Sequence, residues 1–414
     1  MSEPAARGRG PGQAAPWLSL AFIAGCLATI PYGAPVGGWV PWALAALGVA
    51  AVLAARLDGA GRWSGVRVWP VAACLAATGI AIAASAAPGV SLERSASMVL
   101  FSLLAIVAQV ALWDARAARG VAFAAAGAMA AVSLDVAWQR VTGVSLWLRE
   151  PGAGPRWSGS QGNLNDMAVA PLLLPLALAA VAPGAGAWRW RAALAAVAVP
   201  AWWLSASRQA FGAWALASAT MVRRSRRSLA VAAALATVLA VAIAVVPTFR
   251  ARATETMNSG LGVREDLLAF GASLVRDHPA TGIGPGLFGA HYKKAALEGW
   301  TYRGRELPQV GMPWVHCLPL EVACEYGAVG VAAFGAAVVA ALRAGFRAGR
   351  DPGEVDAARR VSRGAAVALV LLLLVGLVDL SFIKDWVRCA WWLVLGLALG
   401  GTSPEKSGTR GPVA

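Results

Sequence analysis

Apolar stretches of roughly 15 to 22 residues, each long enough to cross a bilayer as a helix, recur along the whole chain, bounded by Arg, Pro, Gly or Trp. They fall at about 17–31, 39–55, 68–86, 97–113, 120–138, 166–182, 191–207, 209–222, 228–247, 317–342, 362–382 and 386–401. Inside lipid such segments satisfy their backbone only as helices. The chain is therefore expected to be an all-α, polytopic integral membrane protein with about twelve transmembrane helices. Composition agrees: of 414 residues, 58% are hydrophobic and 14% charged, against roughly 25% charged in soluble domains. That balance excludes a soluble globular protein and intrinsic disorder, and 46 glycines without a three-residue period exclude a collagen. With no internal repeat and no separate soluble domain, residues 1–414 read as one membrane domain.

The first run follows Arg7 and Arg9 like a signal peptide, but no small-residue cleavage site follows Pro31 and Tyr32, so it reads as a retained span. Orientation turns on whether residues 192–222 are divided at Arg208. With the division, the side holding both termini carries 21 Lys and Arg, among them the RRSRR run at 223–227 and the basic loop at 343–361. The short loops opposite hold Arg94, Arg208, Lys384 and Arg388. The positive-inside rule then places both termini in the cytoplasm, and the net charge of +15 is explained by orientation rather than by nucleic acid. Two outside loops are long, 141–165 and 247–315. In the second, VREDLLAFGASLVRDHP places Val263, Leu267, Leu268, Phe270 and Leu274 at helical spacing, which predicts an amphipathic helix near 263–276 lying at the membrane surface. Five cysteines fit no disulfide framework; Cys317 and Cys324 are about 10.5 Å apart along a helix, too far to bridge.

Few residues offer chemistry. Arg208, in WWLSASRQAFGAW, has apolar stretches on both sides and no acid in its own turn. An intramembrane guanidinium needs an anion, which makes it a functional candidate; an Arg snorkelling from a span end is the plainer alternative. Arg264 opens the amphipathic helix beside Glu265 and Asp266, a position that also suits a surface ion pair. His316 stands just before a helix whose Pro319 fits the first helical position. The positive end of that helix dipole favours a neutral imidazole able to act as a base, and capping the helix is its ordinary alternative. His278 and His291 read as turn and loop residues. Glu321 and Glu325, four apart on one helix face, are expected to pair structurally with an Arg, and Asp135 and Asp379 are buried acids of low specificity.

Metal signals are poor, with no HExxH and no paired-His spacing; the acid pair Glu354 and Asp356 lies in a cytoplasmic charged loop. Gly284, Gly286 and Gly289 match GxGxxG, but after a helix ending at Pro279 rather than after a strand. A tight turn with close backbone approach fits better than dinucleotide binding. The chain has no Walker A motif, so ATP-driven transport has no support.

Three segments together resemble the O-antigen ligase and polymerase superfamily of bacterial inner-membrane glycosyltransferases. They are WLSASRQAFGAW around Arg208, the stretch from VREDL at 263 to HPATGIGPGLFGAHY ending at 292, and WVHCLPLEVACEYGAVG at 314–330. The resemblance begins at GSQGNLNDMA, 159–168, and reaches span eleven. In the ligases, a His followed by Asn, Ser or Gln, nine residues, Gly, two residues and then Gly, Thr or Tyr closes the long periplasmic loop. His316, Cys317, Leu318 to Tyr326, Gly327 and Gly330 reproduce that spacing, with Cys317 where the family has a polar side chain. Arg264 and Leu268 look like the family's Arg-x-x-x-Leu element.

The resemblance implies a GT-C-like helical fold in the inner (cytoplasmic) membrane, with loops 141–165 and 247–315 periplasmic and 343–361 cytoplasmic. It implies catalysis without metal or other cofactor, a donor glycan on undecaprenyl pyrophosphate, and the lipid A core oligosaccharide as acceptor. The catalytic residues would be His316, Arg208 and Arg264, with Asn163, Asn165, Gly284 and Gly286 at the substrate; membrane lipids are the other partner, and nucleic acid is not. A Wzy-type polymerase extending another lipid-linked glycan, and a protein O-oligosaccharyltransferase using Ser or Thr, share the same donor. A transporter predicts paired intramembrane charges and discontinuous helices in related halves, and the sequence shows neither.

Overall fold

The computed structural model describes residues 14–30, 40–57, 63–149, 151–152, 156–161, 163–184, 186–220, 237, 247, 263–309, 311–348 and 356–401. The described chain is mostly helical, in the order α1 (Ala14–Thr29), α2 (Val40–Leu57), α3 (Trp69–Ala84), α4 (Pro88–Ala111), α5 (Ala115–Thr142), α6 (Val169–Leu178), α7 (Ala187–Val197), α8 (Val199–Ser205), α9 (Arg208–Ala219), α10 (Val263–Asp277), α11 (Phe288–Leu297), α12 (Leu318–Ala348), α13 (Ala357–Gly376) and α14 (Asp385–Leu399). Two short 3-10 turns, Gly159–Gln161 and Leu164–Ala168, precede α6, and a two-stranded hairpin, β1 (Thr301–Tyr302) with β2 (Arg305–Glu306), follows α11. Apart from residues 237 and 247, the span expected at 228–247 lies outside the described residues, as do the RRSRR run, residues 248–262 of the long loop, and residues 349–355 of the basic loop with Glu354.

Helix boundaries follow local chemistry. Pro70 and Pro88 occupy the first turns of α3 and α4, where a missing N–H costs nothing. Asp114 caps α5 by accepting from the backbone N–H groups of Arg116 and Ala117, and Gly143 ends that helix in the left-handed conformation. At Arg208 the apolar stretch does divide: α8 stops at Ser205, Ala206 turns left-handed with φ 50°, and Ser207 caps α9 through Ala210 N–H. Among the described residues α2, α4, α5 and α12 are long and apolar enough to cross a membrane, which makes the chain a membrane protein.

Where helices meet in lipid, burial from water supplies no attraction, and small residues that let backbones approach do the work. A Cβ on Gly396 of α14 would lie 2.4 Å from the Ala105 carbonyl of α4, and one on Gly345 of α12 would lie 2.7 Å from Ala366 of α13. The exposed Trp42, Trp188 and Trp190 sit near helix ends, where indoles favour a membrane–water boundary.

A second, smaller core lies apart from the bundle. Leu267, Phe270 and Leu274 of α10 bury against Phe288 and Tyr292 of α11, with Leu307 and Val315, and the Phe270 ring stands edge-on to Phe288, Tyr292 and Trp300 at 5.4 to 5.9 Å. The apolar face of α10 is thus covered by protein, which corrects the expectation that it lies on the membrane surface. Glu265 and Asp266 are taken by Arg303 (2.7 Å) and Arg305 (2.8 Å) of the hairpin, not by Arg264.

This cap is fastened to the bundle through a break in α12. Gly327 has φ 62° and ψ −163°, which interrupts the helix and frees its backbone groups. The glycine-rich turn answers four of them: Ala328 and Val329 N–H donate to the carbonyls of Pro279 (2.8 Å) and Ala280 (3.2 Å), while Ile283 and Gly284 N–H donate to those of Cys324 (2.9 Å) and Glu325 (3.1 Å). Glu325 completes the joint by accepting from Gly286 N–H (2.8 Å) and Phe288 N–H (3.3 Å), and Glu321 accepts from Phe382 N–H (2.8 Å). Both glutamates accept from backbone amides rather than from the Arg expected as their partner. A Cβ at Gly327 would fall 2.4 Å from Ala280 backbone. Gly327→Ala, strained by its positive φ and by that clash, should cost more than about 2 kcal/mol and lower the melting temperature in detergent. Gly335→Ala, with open space around its Cβ, should not; equal melting of the two variants would refute the joint.

Candidate functional site

Four separate stretches converge where α12 begins: residues 314–317, the link between α13 and α14, the 3-10 turn 164–168, and the first turn of α10. At their centre is Asp379, in that link, with its side chain fully buried. One carboxylate oxygen is hydrogen-bonded to His316 Nδ1 and lies 3.4 Å from Trp314 Nε1. The other is bonded by Asn165 Nδ2 and lies 3.7 Å from Arg264 Nη2. Beside it Lys384 donates to Asp166 Oδ1 at 2.6 Å, its ammonium 4.5 Å from the centre of the Trp314 ring.

This arrangement fixes the imidazole. An ionised Asp379 only accepts, so the Nδ1 proton must point at it, and the Trp314 N–H, 3.2 Å from that same Nδ1, finds its acceptor in the carboxylate instead. His316 Nε2 is left with the lone pair, on a side chain that is 19% exposed. His316 has φ 58°, a left-handed conformation costing a side-chain-bearing residue roughly 1–2 kcal/mol, which the pairing with Asp379 holds in place. Burial by itself would raise the Asp379 pKa; the hydrogen bond from His316 and the positive charge around it, that of Lys384 and Arg264 and of His316 once it has taken a proton, outweigh it and hold the carboxyl below its ordinary value. A base with its orienting carboxylate, flanked by cations, can take a proton from a hydroxyl while nearby negative charge develops.

Of the residues singled out by sequence, His316 and Arg264 come together around Asp379, and Asn165 joins them as an Asp379 donor. Arg264 keeps its side chain 29% exposed. Asn163 caps the 3-10 turn by accepting from Asn165 N–H at 2.9 Å. Arg208 is exposed at the first position of α9, a helix packed against that same turn. Gly284 and Gly286 make their close approach to Ser85, Ser91 and Arg94 of the protein itself. His278 and His291 pair in the cap with ring centres 6.3 Å apart, and Asp135 accepts from Leu146 and Ser160 N–H to hold the loop after α5. Among the described residues no three His, Cys, Asp or Glu side chains converge as a metal site would require, and all five cysteines are free.

Sequence reasoning ranked Asp379 low and missed Trp314, Lys384 and Asp166. Asp166 and Lys384 carried the signal of charges flanking apolar runs, but nothing in the sequence paired them. The chain matches no family model and no curated protein.

The depressed pKa of Asp379 has a measurable sign. Its unfolded value, about 4, lies above its folded one, so the ionised group stabilises the fold above about pH 4 and loses that contribution as pH falls through the folded value. Asp379→Asn should therefore soften the drop in melting temperature on acidification from about pH 5 to 3. An unchanged drop, measured by thermal unfolding across that range, would remove Asp379 from the acid response.

Proposed function

We propose that the chain is a glycosyltransferase of the O-antigen ligase type, moving a glycan from undecaprenyl pyrophosphate to the lipid A core oligosaccharide. The observation that carries this reading is the His316–Asp379 pair with Arg264 against it, at the start of α12 and joined through Asn165 to the 3-10 turn on which α9 packs. The resemblance of the segments around Arg208, Arg264 and His316 supports the same assignment. So does the lipid-facing helical bundle, since a polyprenyl donor must reach its site from the bilayer. The reading includes a twelve-span GT-C-like topology in the inner membrane, both termini cytoplasmic and the cap in the periplasm.

His316 Nε2 takes the proton of an acceptor sugar hydroxyl, whose oxygen attacks the anomeric carbon of the donor as the bond to pyrophosphate breaks. The single displacement inverts the linkage. Asp379 stabilises the imidazolium that forms, and the pyrophosphate leaves with its charge met by Arg208 and Arg264, whose planar forks suit phosphate oxygens.

The test offers purified protein undecaprenyl-pyrophosphate-linked glycan and lipid A core in detergent with EDTA, and resolves products by gel and mass. Glycan joined to lipid A core is expected. His316→Ala should lower the rate by roughly 10²–10⁴-fold and Arg208→Lys by roughly 10²-fold, with both proteins folded. Longer glycan still on the carrier would make the chain a polymerase, and near-normal transfer by His316→Ala would end its role as base.

A further inference from the structure

Ser207, Arg208 and Gln209 open α9, and this N-terminal turn holds a second feature that the dyad does not use. Gln209 is only 9% exposed, yet neither its Oε1 nor its Nε2 has a hydrogen-bond partner. A buried carboxamide with both ends unpaired loses its hydration on two sides and gains nothing back, which makes it a feature that needs a cause. The helix that carries it packs against elements that build the site. α9 packs against the 3-10 turn 164–168, whose Asn165 is bonded to Asp379 and whose Asp166 is bonded to Lys384. The chain just ahead of α9 is tied to the stretch leading into that turn, since Arg156 Nε donates to the Ser205 carbonyl (2.8 Å) and Trp157 N–H to that of Leu204 (3.1 Å).

The chemistry of the missing partner follows from what is unpaired. A phosphate oxygen only accepts, so it would satisfy Nε2 and leave Oε1 orphaned. Reversing the amide gives the same result. What completes both ends is a group presenting a donor and an acceptor side by side, as neighbouring hydroxyls or an acetamido group on a pyranose do. We propose that Gln209 is a substrate-binding residue that reads the first sugar of the lipid-linked donor, next to the pyrophosphate that Arg208 meets one residue earlier. This assignment rests on the donor chemistry proposed above. Sites built to hydrogen-bond a substrate polar group discriminate strongly against ligands that lack it, because their own groups then stay unpaired.

Gln209→Leu provides the test, through stability and binding rather than turnover. Without ligand, the variant loses two unsatisfied polar atoms and should melt higher than the wild type, by roughly 2 °C or more. Two probes are then titrated against each protein in detergent: undecaprenyl pyrophosphate carrying one N-acetylglucosamine, and bare undecaprenyl pyrophosphate. The wild type should prefer the glycosylated probe by about tenfold or more. Gln209→Leu should lose that preference and bind the bare probe as the wild type does. A ligand-free variant that melts lower would mean that the carboxamide is already satisfied within the fold and would overturn the assignment. Equal weakening toward both probes, or a preference that survives in the variant, would overturn it too. A wild type that binds neither probe would instead bring down the donor reading on which it rests.

Discussion

A carboxylate buried at the junction of four chain segments is the constraint that organises this structure. Removing an ion from water costs several kcal/mol even after relaxation, so a fully buried Asp379 persists only if donors surround it. They come from stretches remote in sequence, His316 and Trp314 ahead of α12 and Asn165 from the turn before α6, and the Arg264 guanidinium of α10 adds an ion pair at 3.7 Å. Each donor is itself held elsewhere, Asn165 by the capped 3-10 turn and Arg264 by a helix whose apolar face is sunk in the second core. The carboxylate thereby relates the cap to the bundle, and the geometry that stabilises it engages His316 through Nδ1 and not through Nε2.

The broken helix serves the same end from the other side. An unwound stretch at membrane depth is tolerated only where other protein satisfies its backbone, and the turn 279–286 does so bond by bond. That turn connects α10 to α11, so pairing it with α12 fixes α10, and with it Arg264, relative to the His316 that precedes α12. The glycine run whose spacing imitates a nucleotide fingerprint is a joint. Its close approaches are to Glu325, Ser85 and Arg94, because a backbone that must lie against another backbone has no room for a Cβ.

What could be read from the sequence was local. Apolar runs and their breakers located most of the described helices, Ser207 and Arg208 marked a true division, and the spacing of Leu267, Phe270 and Leu274 gave α10. But α4 begins at Pro88, well before the run at 97, the run at 191–207 folds as two helices, α7 and α8, and α11 forms where His291 reads as a loop residue. What failed depended on partners far away in the chain. The apolar stripe of α10 carries no label saying whether protein or lipid will cover it. Glu321 and Glu325 could be recognised as structural, but not that amides at 286, 288 and 382 would meet them. Asp379 lies 63 residues from His316 and 214 from Asn165, with no periodicity to connect them.

Cys317 shows how such a partner reinterprets a departure from pattern. The resembled family has a polar side chain beside the histidine, where this chain has a cysteine. In the fold Cys317 is half-buried against the second core, alongside Leu320 and Ala87, and burial pushes its thiol pKa up so that it stays neutral. Its carbonyl accepts from Glu321 N–H at 2.8 Å, a bond any residue can make. The side chain therefore behaves as a small hydrophobe completing the floor of the cap. The imidazole is oriented without it, through Asp379 and Trp314, so the cysteine bears on packing and leaves the His316–Asp379 geometry intact.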